Sequence, residues 1–145
     1  MTVASDNNDA FTLVAPSDPL ILPVVRSLVE TVGQLAGLDQ AARYEAVLAA
    51  NEACSNVIGH SHQGRRELKL TLTCRVTAEG LEMRVEDEGP PFDFTAVPEI
   101  DPTALRQGGR GVLMIRQFMD EAASEPRPQG GNVLRMFKRK SGSPA

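Results

Sequence analysis

The chain has 145 residues, of which 41% are hydrophobic and 23% charged, with a net charge of -4; this is the balance of one soluble domain able to bury a core. The acidic pI of about 5.2 gives no basic field of the kind nucleic-acid binders need, and no apolar run approaches the roughly 20 residues of a membrane span. The polar start Met1–Asp9 lacks a charged stretch followed by an apolar one, so no signal peptide is read and a cytoplasmic protein, binding neither nucleic acid nor membrane, is expected.

Met1–Asp9 is expected to fray, leaving 10–140 as the domain and 141–145 as a loose tail. Phe11–Ala15 predicts a first strand, closed by Pro16-Ser17-Asp18-Pro19. Ser17 or Asp18 can cap the next helix, with Pro19 in the first turn, where a missing N–H is tolerated. Leu20, Val24, Leu28, Val32 and Leu35 recur at helical spacing up to Gly37 as a stop. Asp39 is a good cap for a second helix running to about Ser61. Leu68–Thr77 and Leu81–Asp87 alternate apolar and polar residues around Ala78-Glu79-Gly80, a hairpin pattern.

From Gly89 to Gly109 the periodicity vanishes and Pro90, Pro91, Pro98 and Pro102 intervene. Such a stretch of about 20 residues inside a compact domain reads as a lid or binding loop. Arg110–Met119 predicts a helix with Val112, Leu113, Ile115 and Met119 on its apolar side. Asp120–Ser124 and Asn132–Lys138 are the last strands, separated by the turn region Glu125–Gly131. The order β α α β β, lid, α β β fits a two-layer α/β sandwich, with a mixed, mostly antiparallel sheet and its helices on one face. The two cysteines, Cys54 and Cys74, fall on a predicted helix and strand and read as buried free thiols.

The second helix carries the first chemical signal. At about 100° per residue, Val47, Ala50, Cys54, Val57 and Ile58 share one side, while Glu52, Asn56 and His60 form a stripe on the other. A polar stripe can be a solvated face or the lining of a ligand site. Asn and His are poor helix formers and Gly59 costs about 1 kcal/mol relative to Ala, so these residues point to a face with a task. An Asn carbonyl suits Mg²⁺, which prefers oxygen ligands and shares its shell with phosphates. A Glu one turn earlier can deprotonate a hydroxyl or water. His60 and His62 with Glu52 do not have zinc-protease spacing.

Asp87 ends a strand and is followed by Glu88 and Gly89. It can cap a turn, or it can accept a hydrogen bond from the exocyclic amine of adenine, where guanine presents a carbonyl. Gly89 would let the backbone approach a base closely. Gly108-Gly109-Arg110-Gly111 opens a helix, as a hinge or as a cradle of free N–H groups at the positive end of the dipole. Arg110 adds a bidentate phosphate partner. No Walker motif is present.

Together these segments resemble a known set. NEACSNVIGH (51–60) resembles the N-box, VEDEGPPFDF (85–94) the first glycine box and GGRGVLMIRQFMDE (108–121) the second glycine box of the GHKL ATPase superfamily, which includes histidine-kinase catalytic domains, gyrase B and MutL. The chain length, the GPPFD form, the MDE after the last helix and the closing GGNVLRMFKR are similar to the anti-sigma factor serine kinases of bacterial partner-switching systems, the RsbW-like family. The resemblance implies a Bergerat-type sandwich with a lid, binding ATP and Mg²⁺. It implies Glu52 as catalytic base and Asn56 as Mg²⁺ ligand. The nucleotide-binding set it implies is Asn56, His60, Asp87, Gly89, Gly108, Gly109, Arg110, Gly111 and Val112.

The activity implied is phosphorylation of a serine or threonine on a STAS-domain anti-anti-sigma protein, with sequestration of a sigma factor as the alternative complex and a homodimer as the assembly. A module that holds a partner without phosphoryl transfer is the competing reading; the retained Glu52 favours the kinase. The length argues against gyrase-like or MutL-like function, and no phosphoacceptor helix precedes the domain as in a complete histidine kinase. The sequence departs from the family pattern at Pro91, at Ser61-His62 where Ala-Tyr is frequent, at Ala122-Ala123-Ser124, and at Asn132, where histidine kinases often carry a threonine.

Overall fold

The alternation in the two central segments closes into a hairpin of β3 (Lys69–Val76) and β4 (Gly80–Asp87), in a computed structural model that describes residues 1–5, 9–90 and 107–142. β2 (Ala10–Pro16) lies beside β3, and β1 (Thr2–Ser5) beside β2. On the other side β6 (Asn132–Arg139) pairs with β4, and β5 (Glu121–Pro126) closes the far edge. The order is β1-β2-β3-β4-β6-β5, and the expected mixed sheet is antiparallel at every described pair. Thr2–Ser5, expected to fray, is instead an edge strand whose residues are all exposed; pairing with β2 holds it, and no burial signal marks it in the sequence.

Register places Leu13, Leu72, Val85 and Leu134 in one cross-strand row, and Cys74, Met83 and Met136 in the next. These side chains face the helices, while Thr12, Thr73, Arg84 and Arg135 line up on the opposite face. One face dry and one wet is the reason for the period-two pattern. Truncating the fully buried Leu72 to Ala would cost about 2–5 kcal/mol.

α1 (Leu22–Leu35) follows a short 3₁₀ turn, Pro19–Ile21, capped by Asp18, whose carboxylate accepts from the Leu20 N–H at 2.9 Å. The predicted stripe is rotated. Leu20 and Leu35 are 76% and 60% exposed, while Ile21, Val25, Val29 and Val32 are buried. Two apolar stripes one residue apart, about 100° around the helix, were both available; docking on the sheet decided between them, leaving Val24 and Leu28 at the margin.

α2 (Gln40–Asn56) starts at Asp39, which accepts from the Ala42 N–H at 2.8 Å. That bond, then one from Ser141, holds the Asp39 carboxyl below its ordinary range. Its buried face is built largely of alanine, at Ala42, Ala46, Ala49, Ala50 and Ala53. Small side chains let it pack between α1 and α3 (Gln107–Phe118). Cys54 and Cys74 are buried and free, and burial pushes both thiols up to about 12. No helix among the described residues is long and apolar enough to cross a membrane.

Candidate functional site

α2 brings the polar stripe to one side of the helix layer. Ala50, Ala53, Cys54, Val57 and Ile58 are buried, while Glu52 and Asn56 are half-exposed and His60 is exposed. None of the three stripe side chains makes a hydrogen bond or ion pair with another described residue. The alanines and cysteine on the far side pin the helix, so a packed element presents the stripe, with its polar atoms unpaired among the described residues.

The predicted continuous helix changes form at its end. Val57–Ser61 is a π-turn, and the His62 N–H reaches back to the Val57 carbonyl at 2.8 Å, five residues away. Helical spacing already sets Ser61 and His62 on the buried side, with Cys54 and Ile58, and the π-turn ends the helix there against the sheet. Ser61 donates to Asp87 Oδ1 at 2.8 Å, and His62 is 1% exposed.

Asp87 lies two residues beyond Val85 on the same face of β4, where the apolar rows end. It is 6% exposed and stands opposite Asn132 in the β4–β6 register. Oδ1 accepts three hydrogen bonds: from Ser61 Oγ, from the Gly89 N–H at 2.8 Å and from Asn132 Nδ2 at 3.1 Å. Asn132 Nδ2 also donates to the Pro90 carbonyl at 2.8 Å, tying β6 to the chain just past the strand. Oδ2 accepts none among the described residues. A carboxylate oxygen left open beside a saturated one can receive an external donor such as an exocyclic amine.

Two glycines frame this carboxylate. At Gly89 a Cβ would run into Ser61 Oγ and lie 2.7 Å from the Ser61 carbonyl oxygen, so the room expected for a base is used to seat the turn on α2. Gly131 has φ +108°, and a Cβ there would strike the Asp87 carbonyl. Glu88, between Asp87 and Gly89, is held at both ends. Its N–H donates to His62 Nε2 at 3.1 Å, and its carboxylate accepts from the Lys69 N–H at 3.1 Å. Because His62 Nε2 accepts, the neutral ring carries its proton on Nδ1, which is buried without a partner among the described residues. Burial holds His62 below the ordinary imidazole value; Asp87 and Glu88 pull the other way, and Arg65 adds to the lowering.

Gly108, Gly109, Arg110 and Gly111 all fall in the first turns of α3, so the helix begins three residues earlier than predicted. The N–H groups of its first turn have no acceptor within the helix. Val112 and Ile115 are buried toward α2 and the sheet. Most of the predicted lid, Gly89–Gly109, lies outside the described residues, as does Pro91. A separate open hollow of about 1000 Å³ between α1 and α2, lined among others by Arg26, Arg43 and Tyr44, holds none of the predicted site residues.

Comparison with known proteins agrees with this fold. Residues 15–138 match the family model of the histidine kinase-like ATPase domain. The chain belongs to the histidine kinase-like ATPase family. It is 29% identical over 122 residues to the serine-protein kinase RsbW of Listeria innocua, covering 79% of this chain and 78% of that one. It is 25% identical over 124 residues to the protein of the same name from Bacillus subtilis, covering 80% and 78%. Among solved structures it is similar to the histidine kinase domain of a blue-light activated histidine kinase from Erythrobacter litoralis, with TM-score 0.55 and 16% identity. That alignment covers 87% of this chain and 62% of the other, and the likeness is one of fold.

Within this family member the sequence motifs supplied Asp87 and Gly89 together, and α2 supplied the Glu52–Asn56–His60 stripe. Ser61, His62 and Asn132, none of them expected from the motifs to hold this turn, meet Asp87 or its neighbour Glu88. The signals for Ser61 and His62 are their departure from the frequent Ala-Tyr and their helical spacing from the buried Cys54 and Ile58. Nothing local in the sequence says that Asp87 lies beside them.

Proposed function

We infer that this chain is an ATP-dependent serine/threonine protein kinase and anti-sigma factor. Its protein substrate is a STAS-domain anti-anti-sigma protein, its second partner a sigma factor, and its working form a cytoplasmic homodimer. The observation that carries the reading is Glu52: a half-buried carboxylate with no partner among the described residues, one turn from Asn56, on the helix whose end grips Asp87. A module that only held nucleotide would need Asp87 and Asn56 but no base. The RsbW names of the relatives support the same reading.

The residues fit a magnesium–nucleotide complex. Asp87 Oδ2 is the open acceptor for the adenine amine. The first-turn N–H groups of α3, with Gly108, Gly109, Gly111 and the charge of Arg110, are the phosphate-side groups. Val112 anchors that turn in the core. Asn56, with His60 one turn on, faces the same stripe; its amide oxygen suits Mg²⁺ without adding negative charge. When bound, the metal neutralises charge on the phosphates.

Glu52 then accepts the proton of the partner's serine or threonine hydroxyl. The hydroxyl oxygen bonds to the γ-phosphorus as the bond from that phosphorus to the β,γ-bridging oxygen breaks, and ADP leaves. Positioning and charge stabilisation carry most of the acceleration, with a base adding about 10²–10⁴-fold. Incubating the chain with γ-labelled ATP and the STAS proteins of the same genome tests this. Label should pass to a serine or threonine of one of them. Nucleotide-dependent binding of a STAS protein without transfer would make the chain a sequestering module instead.

A further inference from the structure

We propose that Ser61 and His62, at the end of α2, are positioning residues that lock the Asp87–Gly89 turn in the one arrangement that distinguishes adenine from guanine. The proposal rests on the reading of Asp87 as the acceptor for the base. Three consecutive residues are tied to this pair: Asp87 through its carboxylate to Ser61, Glu88 through its N–H to His62, and Gly89 through its contact with Ser61. A carboxylate turns readily about its last torsion, which has broad, roughly two-fold wells. All three described donors meet Oδ1, so that torsion is fixed and Oδ2 is the oxygen with no donor among the described residues.

An exocyclic amine donates to Oδ2; a carbonyl oxygen at the same place meets its lone pairs. Discrimination therefore depends on Asp87 being unable to turn. Ser61 supplies one of the three donors and Gly89, seated against Ser61, a second. His62 fixes the backbone between them. Its Nε2 can accept the Glu88 N–H only while the ring is neutral, because protonation makes both ring nitrogens donors. The titratable groups around the ring are Asp87, Glu88 and Arg65, and burial outweighs the two carboxylates in keeping it neutral.

Titration calorimetry of the full chain with ATP and with GTP, each with Mg²⁺, tests this on wild type, Asp87→Asn, Ser61→Ala, His62→Leu and His62→Gln. Ser61→Ala should lower the ATP-over-GTP preference about 2- to 10-fold, the size of one net hydrogen bond, and His62→Leu should do the same. His62→Gln can accept from the Glu88 N–H through its amide oxygen and should restore the preference. It should also remove a pH dependence of wild type: ATP affinity weakening as pH falls below 6.5, because burial holds His62 below that ordinary value. Comparing the two proteins cancels the titration of ATP itself.

A loss of folding stability alone would shift melting but not the ATP-to-GTP ratio. Ser61→Ala removes one oxygen and keeps the test open if His62→Leu does not fold. An unchanged ratio in Ser61→Ala and His62→Leu, with the preference lost in Asp87→Asn, overturns the proposal and leaves the base reading standing. A wild-type ratio in Asp87→Asn overturns both.

Discussion

The two halves of the site are built in opposite ways. Around Asp87 the protein supplies donors to one carboxylate oxygen, seats two glycines where no Cβ fits and buries the imidazole that holds Glu88. Along α2 the Glu52–Asn56–His60 stripe has no protein partner among the described residues. The first half is finished before any ligand arrives and suits recognition of a rigid, neutral ring. On the proposed reading, the second leaves its polar atoms to groups that come and go, as a metal shell and a reacting hydroxyl must. Fixed hydrogen bonds give selectivity, since the wrong partner meets an oriented lone pair. Free side chains on a rigid helix give chemistry.

The comparison breaks most visibly at Glu52. Glu52→Gln keeps shape and polarity but cannot take the proton; phosphoryl transfer should fall about 10²–10⁴-fold while ATP affinity stays near wild type. Labelled transfer beside calorimetry measures both. At the finished half, Asp87→Asn should weaken ATP binding about 10- to 150-fold, the range for a hydrogen bond to a charged group. Equal ATP and GTP affinities in the wild type would remove the base reading.

Gly131→Ala tests the scaffold beneath the carboxylate. Its Cβ meets the Asp87 carbonyl at a positive φ, and chemical denaturation should show a loss of about 1–3 kcal/mol. Asn56→Ala acts on the open half and should cost a few-fold to about tenfold in ATP affinity with Mg²⁺, and nothing without it. If the variant still responds to magnesium as wild type does, the ligand is another residue.

The smallest effect is on stability against pH. Burial keeps the proton off His62 in the folded chain, whereas the unfolded chain takes one up near pH 6.5. Between 6.5 and the lower folded value the unfolded state binds more protons, so stability should fall as pH drops through that window and level off below it. His62→Gln should flatten the profile there.

Local chemistry in the sequence determined the hairpin of β3 and β4, the Asp39 cap, the polar stripe of α2 and the carboxylate–glycine pair at the end of β4. Each is a period of two or 3.6, a capping side chain or a residue type at fixed spacing, so neighbours along the chain carry the signal. Tertiary structure decided the rest. It chose the valine stripe of α1 over the adjacent leucine one, because only sheet contacts distinguish two apolar faces of a single helix. It added β1, which is held by pairing and buries nothing. It also docked the end of α2 on the turn after β4, so that Ser61 meets Asp87, and set Asn132 opposite Asp87. Those partners are separated from Asp87 by 26 and 45 residues in the hydrogen-bonded pairs, a distance at which no spacing rule speaks and only the folded register brings donor to acceptor.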